Sequence, residues 1–401
     1  MGRPLEGIRV FDLSAVVLGP HATVHLADMG AEVIKVEHPA GGDMMRGVSA
    51  LRMLPLGKLN YLFELDNRNK KSVTLDLSQE GGREIAYKLL PACDVFLSNF
   101  QPLVLKRIKM DYETVSKINP GIVYALCTGW GLKGPLKDEP GFDYAAFARS
   151  GLMEGFAEPG GPLVTCLPGF GDHIAAMHAA YGIMLALFHR QRTGEGQMVH
   201  VSLLGGLLEN NSMSLSACLT TGQDLPKQPR TGVGNALWNY YQCRDKKWLQ
   251  LAMLQTDRHW HDFCQALELG EMEKDPKFDS HARRCENNVV LISILDKAFP
   301  TRTREEWAKR FEGKNIVWGL VQNFLEVTQD PQVWENNYFV PFEHPTAGDT
   351  KIMGLSVQLS KTPGEVRTAA PELGQHTEEV LLELGYSWDD IARLKDQKVI
   401  L

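Results

Sequence analysis

The stretch GIRVFDLSAVVLGPHATVHLADMGAEVIKVE, residues 7–37, decides the fold. It begins and ends in short runs rich in β-branched side chains, the composition of strands. Residues 20–29 between them read as a helix, and Gly30 suits its C-cap because glycine adopts the left-handed backbone without a Cβ penalty. Strand, helix and strand in this order form one unit of a parallel sheet, whose crossovers are right-handed and whose ligands sit at the carboxyl ends of the strands. The unit ends in Glu37, where a dinucleotide-binding fold places its ribose-binding acid. The turn that should approach the pyrophosphate reads Leu18-Gly19-Pro20-His21, with one glycine where the fingerprint needs three. Proline at position 20 fits the first turn of a helix. The unit is therefore Rossmann-like in shape without being an NAD site.

Outward from this unit the alternation continues. Residues 72–77, 94–98, 122–127 and 198–203 read as strands, with helix-like runs such as 81–90 and 112–118 between them. Alternation of this kind favours a parallel sheet covered on both faces. After about residue 220 the pattern changes. Residues 223–233 are polar and rich in turn formers, as a linker is. Strand-like runs at 238–243 and 248–254 are joined into a hairpin by Arg244-Asp245-Lys246-Lys247, and helices follow near 256–267, 288–299 and 304–311. This predicts a smaller α+β domain of about 90 to 110 residues. The tail adds a strand-like run at 351–359 and a helical end from Thr377.

A chain of 401 residues, 44% hydrophobic and 23% charged, can bury a large core without disulfide staples. Its net charge of −7 argues against a nucleic-acid surface, although local basic patches could hold a phosphorylated small molecule. Seven scattered cysteines without a CxxC pair read as reduced thiols of a cytoplasmic protein. The start MGRPLEGIRVFDLS has no apolar core of a secretory signal. No stretch approaches the ~18 uninterrupted apolar residues of a membrane span.

Candidate chemistry centres on Gly169-Phe170-Gly171-Asp172 before the long apolar run HIAAMHAAYGIMLALFHR. Asp172 is placed to be the N-cap of that helix, a common role for aspartate. A carboxylate there also meets the positive end of the helix dipole, which predicts that it stays ionised and can act as a nucleophile. His173 and His178 do not share a helix face, so they do not suggest a metal pair. Asp143, in Gly141-Phe142-Asp143-Tyr144, is read as a second carboxylate or the N-cap of a helix running to Ser150. Two further segments, Asn67-Arg68-Asn69-Lys70-Lys71 and Ser98-Asn99-Phe100-Gln101-Pro102 with Lys106 and Arg107, are either solvated surface or contacts for phosphates and an adenine ring.

Taken together, these segments resemble the family III CoA-transferases, the group that contains formyl-CoA transferase and carnitine CoA-transferase. The resemblance runs through PLEGIRVFDLS near the start, GAEVIKVEHPAGGD at 30–43, NRNKKSVTLDL at 67–77 and PACDVFLSNF at 91–100. It continues through PGFDYAAFARSG at 140–151, PGFGDHIAAMHAAYGI at 168–183, TGEGQMVHVSL at 193–203 and LGQHTEEVLLELGY at 373–386. Within the family, PGFDY with PGFGDH is similar to transferases acting on phenyllactate or 2-hydroxyisocaproate.

The resemblance implies CoA transfer from an acyl-CoA donor to a free carboxylic acid through aspartyl anhydride and aspartyl-CoA thioester intermediates. Asp172 is the implied catalytic residue, the CoA thioester is the substrate, and no metal or other cofactor is expected. Val16, Leu75, Asn99, Phe100 and Arg107 match CoA-contacting positions, and Asp143 falls where formyl-CoA transferase has a glutamate. His38 and Val17 depart from an arginine and a glutamine of that enzyme. The apolar Val16-Val17-Leu18 run implies an acceptor with a hydrophobic body, aromatic, branched or 2-hydroxy. Gly232 and Gly234 mark the expected mobile glycine loop, or equally a linker turn. The family fold implies a large domain built from both chain ends, residues 1–222 and 325–401, a small domain at 223–324, and an interlocked homodimer. The alternatives are an acyl-CoA racemase or isomerase of the same fold, and one subunit of a heteromeric transferase such as a benzylsuccinate-type enzyme.

Overall fold

The computed structural model describes residues 2–51 and 59–401. The opening stretch forms β1 (Arg9–Leu13), α1 (Leu18–Asp28) and β2 (Glu32–Glu37). Next come α2 (Tyr61–Asn67), β3 (Lys70–Thr74), α3 (Glu80–Leu89), β4 (Val95–Ser98), α4 (Pro102–Arg107), α5 (Tyr112–Ile118) and β5 (Val123–Thr128). Then follow α6 (Asp143–Arg149), α7 (Leu152–Gly155), α8 (Phe170–Thr193), β6 (Gln197–Ser202), α9 (Leu203–Asn210) and α10 (Ser212–Thr221). The six strands form one sheet in the order β3-β2-β1-β4-β5-β6, with every neighbouring pair parallel. The chain is an α/β protein with a Rossmann-like sheet.

Successive strand residues point to opposite faces, so this sheet sorts its own core. Phe11, Ile34, Phe96 and Tyr124 join a cluster on one face, where the rings of Phe11, Phe96 and Tyr124 stack at centroid distances of 5.4 and 4.6 Å. Val10, Val33, Val95 and Val123 join the cluster on the other face, against α1 and α8. Helix α8 can lie this close because Ala175, Ala176 and Ala179 are fully buried on its inner side.

Contacts divide the chain into two compact units. The first contains residues 1–156, 163–223 and 334–401; the second contains 157–162 and 224–333. The second unit is an antiparallel sheet of β7 (Tyr240–Gln242), β8 (Trp248–Leu251) and β9 (Trp318–Val321). Its helices are α11 (Asp257–Leu267), α12 (Gly270–Glu273), α13 (His281–Glu286), α14 (Asn288–Ala298), α15 (Arg304–Phe311), α16 (Phe324–Val327) and α17 (Pro331–Glu335). The last of these straddles the boundary between units. The chain then returns to the first unit through the hairpin β10 (Phe339–His344) and β11 (Gly348–Met353), and ends in α18 (Thr377–Glu383) and α19 (Trp388–Asp396). Val380, Leu381, Ile391 and Leu394 bury themselves in the same cluster as Phe11 and Phe96. The backbone of Thr74 donates to Thr377 Oγ1 at 3.0 Å across 303 residues of chain. The strand expected at 351–359 is instead the shorter β11, which starts three residues earlier at Gly348 and ends at Met353. Among the described residues no helix is long and apolar enough to cross a membrane, and all seven cysteines are free.

Candidate active site

Helix α8 begins differently from the sequence expectation. Gly169, with a left-handed φ of 80°, occupies the N-cap, and Asp172 is the third residue of the helix. The capping carboxylate comes from elsewhere: Asp143 Oδ1 accepts the Gly171 N–H at 2.7 Å from 28 residues upstream. Asp143 in turn is the first residue of α6 and not its cap, which is Phe142. Gly171 has no room for a side chain, because a Cβ there would lie 2.5 Å from Asp143 Oδ1. Asp143 thus satisfies the helix end, and Asp172 is released from capping.

Among the described residues none donates a hydrogen bond to the Asp172 carboxyl group. Burial pushes its pKa up to about 7, and the carboxylates of Asp143 and Asp66 add to the shift. This runs against the expectation of a fully ionised group, because desolvation and two like charges all favour the protonated form.

Asp172 lines a cleft of ≈ 220 Å³ at the carboxyl ends of β1, β4 and β5, together with Val16, Asn99, Phe100, Trp130 and Phe142. A second cleft of ≈ 260 Å³ contains His38, Leu75, Phe100 and Arg107. Ala15 and Phe100 belong to both. Six of the sequence-predicted positions besides Asp172 therefore meet in two adjoining clefts. Val17 lines neither; it precedes α1 and its carbonyl accepts the His21 N–H at 2.8 Å. Gly232 and Gly234 belong to the second unit, where Asn288 Nδ2 donates to the Gly232 and Val233 carbonyls at 3.3 and 2.7 Å.

The clefts are bounded by a tightly tied turn at residues 14–17. Asn99 Oδ1 accepts the Ala15 N–H at 3.0 Å, and Asn99 Nδ2 donates to the Ala15 carbonyl at 2.7 Å. Val16 has a φ of 70°, a conformation that costs a β-branched residue on the order of 1–3 kcal/mol. On the far side, a close contact between Gly129 and Gly141 brings the end of β5 against residues 140–142. Trp130 Nε1 donates to the Pro140 carbonyl at 3.1 Å, which fixes the indole at the cleft.

Several charged groups that looked available are spent on the fold. Arg68 is buried against Asp28 at 2.8 Å, and Lys70 against Asp12 at 3.0 Å. Asn69 Nδ2 donates to Asp28 Oδ1 at 2.7 Å, while Lys71 bonds Glu379 at 2.8 Å. The segment 67–71 lies at the amino end of β3, away from the carboxyl ends where ligands bind, so it is neither phosphate contact nor free surface. Glu37 likewise accepts from Arg46, Ser72 and the Asp43 backbone and has no free face for a ribose.

The sequence reading missed one cluster entirely. His21 of α1, Asp66 of α2 and His173 of α8 bring their donor atoms within 4.8 Å of one another. His21 Nδ1 bonds Asp66 Oδ1 at 2.7 Å, and the His21 ring stacks on His173 with centroids 4.0 Å apart. Burial pushes the His21 pKa down to about 4 and that of Asp66 up to about 7. The stacked rings pack on each other and the His21–Asp66 bond uses one donor atom of each, so the group is arranged as a hydrogen-bonded stack. Its members lie in three separate helices, and spacing within any one of them carries no signal.

A Rossmann-like sheet with adjoining clefts at its strand ends is the arrangement of an α/β enzyme fold. The family follows from comparison: the chain belongs to the CoA-transferases of family III, whose model matches residues 5–377. It is 32% identical over 400 residues to (R)-2-hydroxy-4-methylpentanoate CoA-transferase of Clostridioides difficile, covering 99% of both chains. It is 31% identical over 400 residues to cinnamoyl-CoA:phenyllactate CoA-transferase of Clostridium sporogenes, covering 99% of this chain and 97% of that one. A CAIB/BAIF family protein from Brucella suis has the same fold, with a TM-score of 0.84 and 25% identity over 96% of this chain and 100% of that one.

Proposed function

We propose that this CoA-transferase works through Asp172 as a covalent nucleophile. The observation that carries the reading is a cleft-lining carboxyl group, at the first turn of a long helix, with a pKa near 7 and no hydrogen-bond donor among the described residues. The basicity of such a carboxylate favours attack on a carbonyl carbon. Attack on the donor thioester expels CoA thiolate and leaves an aspartyl–acyl anhydride. The thiolate then attacks the aspartyl carbonyl, releases the donor acid and forms an aspartyl-CoA thioester. The acceptor carboxylate displaces the thiolate from Asp172, and the thiolate attacks the acyl carbonyl of the new anhydride. The product is the acceptor's CoA thioester, and the Asp172 carboxylate is regenerated.

Val16, Asn99, Phe100 and Asp143 surround the reacting end in this reading. His38, Leu75 and Arg107 take the nucleotide end of CoA along the second cleft. Trp130, Phe142, Leu18 and Leu203 give part of the first cleft an apolar, aromatic lining, which supports an aromatic, branched or 2-hydroxy acid as acceptor. Val17 acts through the turn it helps form. Gly232 and Gly234 are assigned to a mobile glycine loop of the second unit. The chain is assigned to the cytoplasm, in keeping with its free thiols. An interlocked homodimer is the proposed assembly, supported by Tyr181 and Phe188 of α8, which are 64% and 60% exposed.

The deciding experiment incubates the protein with acyl-CoA and traps the thioester with borohydride or hydroxylamine. Mass spectrometry should find the modification on the peptide containing Asp172, and Asp172→Asn should carry none. Full transfer activity in Asp172→Asn would sink the mechanism. The stacked histidines beside Asp172 support a second reading, proton exchange at the α-carbon of an acyl-CoA. Deuterium uptake from D2O in the absence of a free acid would favour it.

A further inference from the structure

Val16 holds a backbone conformation that its side chain disfavours. Among the described residues with positive φ it is the one β-branched side chain, and it lines the same cleft as Asp172. Its N–H donates to Asp43 Oδ1 at 3.1 Å. The other oxygen, Asp43 Oδ2, accepts from Lys35 Nζ at 2.9 Å, and the same ammonium donates to the Ser14 carbonyl at 2.9 Å. Lys35 is 0% exposed and Asp43 2%. Lys35 lines neither cleft, whereas Asp43 lines the second beside His38 and Leu75.

A neutral side chain could supply an acceptor for one N–H. A carboxylate locked by a buried ammonium does so with a stronger, better-directed bond, because charge-assisted hydrogen bonds gain in a low-dielectric interior. Buried ion pairs add little net stability over apolar packing, and fixing one conformation is a use to which they are suited. Lys35 grips both ends of the strained segment, Ser14 directly and Val16 through Asp43.

We propose that the buried Lys35–Asp43 pair is a positioning device that holds Val16 in its left-handed conformation and thereby shapes the wall of the cleft where transfer takes place. The inference rests on the reading of that cleft as the transfer site. Asp43 and Lys35 are positioning residues, acting through the turn at 14–17.

The test uses glycine's tolerance of positive φ. Asp43→Ala should lower kcat by about tenfold, through misplacement of the cleft wall, with less change in KM. In a Val16→Gly background the same Asp43→Ala change should cost less than about threefold, a rescue measured against Val16→Gly alone, since glycine reaches the left-handed region without help. A residue that touches substrate directly, or one that only stabilises the fold, predicts no such rescue. If Asp43→Ala does not fold, as judged by circular dichroism, Asp43→Asn takes its place. It keeps an acceptor for Val16 and loses the pull of Lys35. Unchanged kcat in the single variant, or a loss that Val16→Gly leaves uncorrected, overturns the proposal. Asp172→Asn in the same assay separates the two readings: if it retains activity the site assignment fails, whereas an inactive Asp172→Asn beside an absent rescue removes the positioning role alone.

Discussion

Asp12 and Asp172 are two aspartates of the same unit with opposite fates. Asp12, at 0% exposure in β1, accepts from Lys70 at 3.0 Å, from Ser14 Oγ, and from Thr23 at 2.6 Å. Burial pushes its pKa up, but Lys70 and Lys35 pull harder and the net shift is downward. Asp172 is less deeply placed and shifted the opposite way, because burial is joined by two carboxylates and, among the described residues, no cation offsets them. Depth alone does not decide the state of a buried acid; its partners do. The acid with partners is tied into the sheet, and the one without keeps the free lone pairs that the proposed nucleophile requires.

The sharpest way to break this contrast is to neutralise each acid in turn. Asp172→Asn should reduce CoA transfer by about four orders of magnitude, as expected for loss of a covalent nucleophile. Steady-state kinetics that follow formation of the acceptor's CoA thioester by chromatography would measure it, and circular dichroism should show the fold intact. Stability should move the other way. A folded-state pKa raised to about 7 means that the native state holds a proton that the unfolded chain has lost. Stability from this group therefore falls as pH rises between the unfolded value near 4 and about 7. Asp172→Asn removes that loss, so its unfolding midpoint should exceed wild type at pH 8 and match it near pH 4. A midpoint lower than wild type at pH 8 would contradict the idea of an unsupported charge.

Asp12→Asn should do the reverse. It leaves the Lys70 ammonium buried among neutral acceptors, the Pro20 carbonyl and Asn67 Oδ1 included, without its carboxylate partner. Removing one partner of a buried pair costs roughly 3–5 kcal/mol, which urea titration would read. For wild-type Asp12 the lowered pKa contributes stability above the unfolded value and loses it as pH falls through the lower folded value. Acid unfolding should consequently be less steep in Asp12→Asn. A variant as stable as wild type would show that the pair carries no weight.

Much of the sheet was legible from residues alone, because strand composition and turn residues are local. The βαβ unit at 7–37, β2 over Glu32–Glu37 and the helices Tyr112–Ile118 and Arg304–Phe311 follow directly from them. The candidate nucleophile was legible too, but its surroundings were not. Asp172 was expected to cap α8, and Asp143 does so from another helix. The basic run at 67–71 could be read as solvated surface or phosphate contact, and Arg68 and Lys70 are instead buried against Asp28 and Asp12. The stack of His21 on His173 joins two helices far apart in sequence. In each case the missing information is a long-range partner, and partners are what set the charge state of a buried group.

The cap gives a smaller effect. Gly171→Ala would drive a Cβ to 2.5 Å from Asp143 Oδ1 and 3.1 Å from Leu207 Cδ1. The Asp143 bond to the helix end should be lost, at a cost of about 1–2 kcal/mol for a broken cap. Because Asp172 follows directly, kcat should fall by about one order of magnitude with the shifted first turn. Thermal unfolding and kinetics measured together would check this. Loss of stability with full kcat would show that the cap does not position Asp172.

The smallest effect tests whether the acids truly feel one another. The acid limb of kcat/KM should have its midpoint near the Asp172 value of about 7, activity rising as the proton leaves. Asp66→Asn removes a carboxylate that raises this value, so the limb should move to lower pH, by roughly a few tenths of a unit up to one unit. His21 loses a partner in this variant but keeps its stacking on His173, and its own pKa near 4 keeps it neutral across the limb. Asp143 remains as the nearer like charge, since its carboxylate holds the Gly171 N–H one residue from the nucleophile. The limb should therefore shift without disappearing. A limb that stays at its wild-type position would mean that solvent in the cleft screens Asp66 from Asp172, and that burial with Asp143 alone holds the nucleophile's proton.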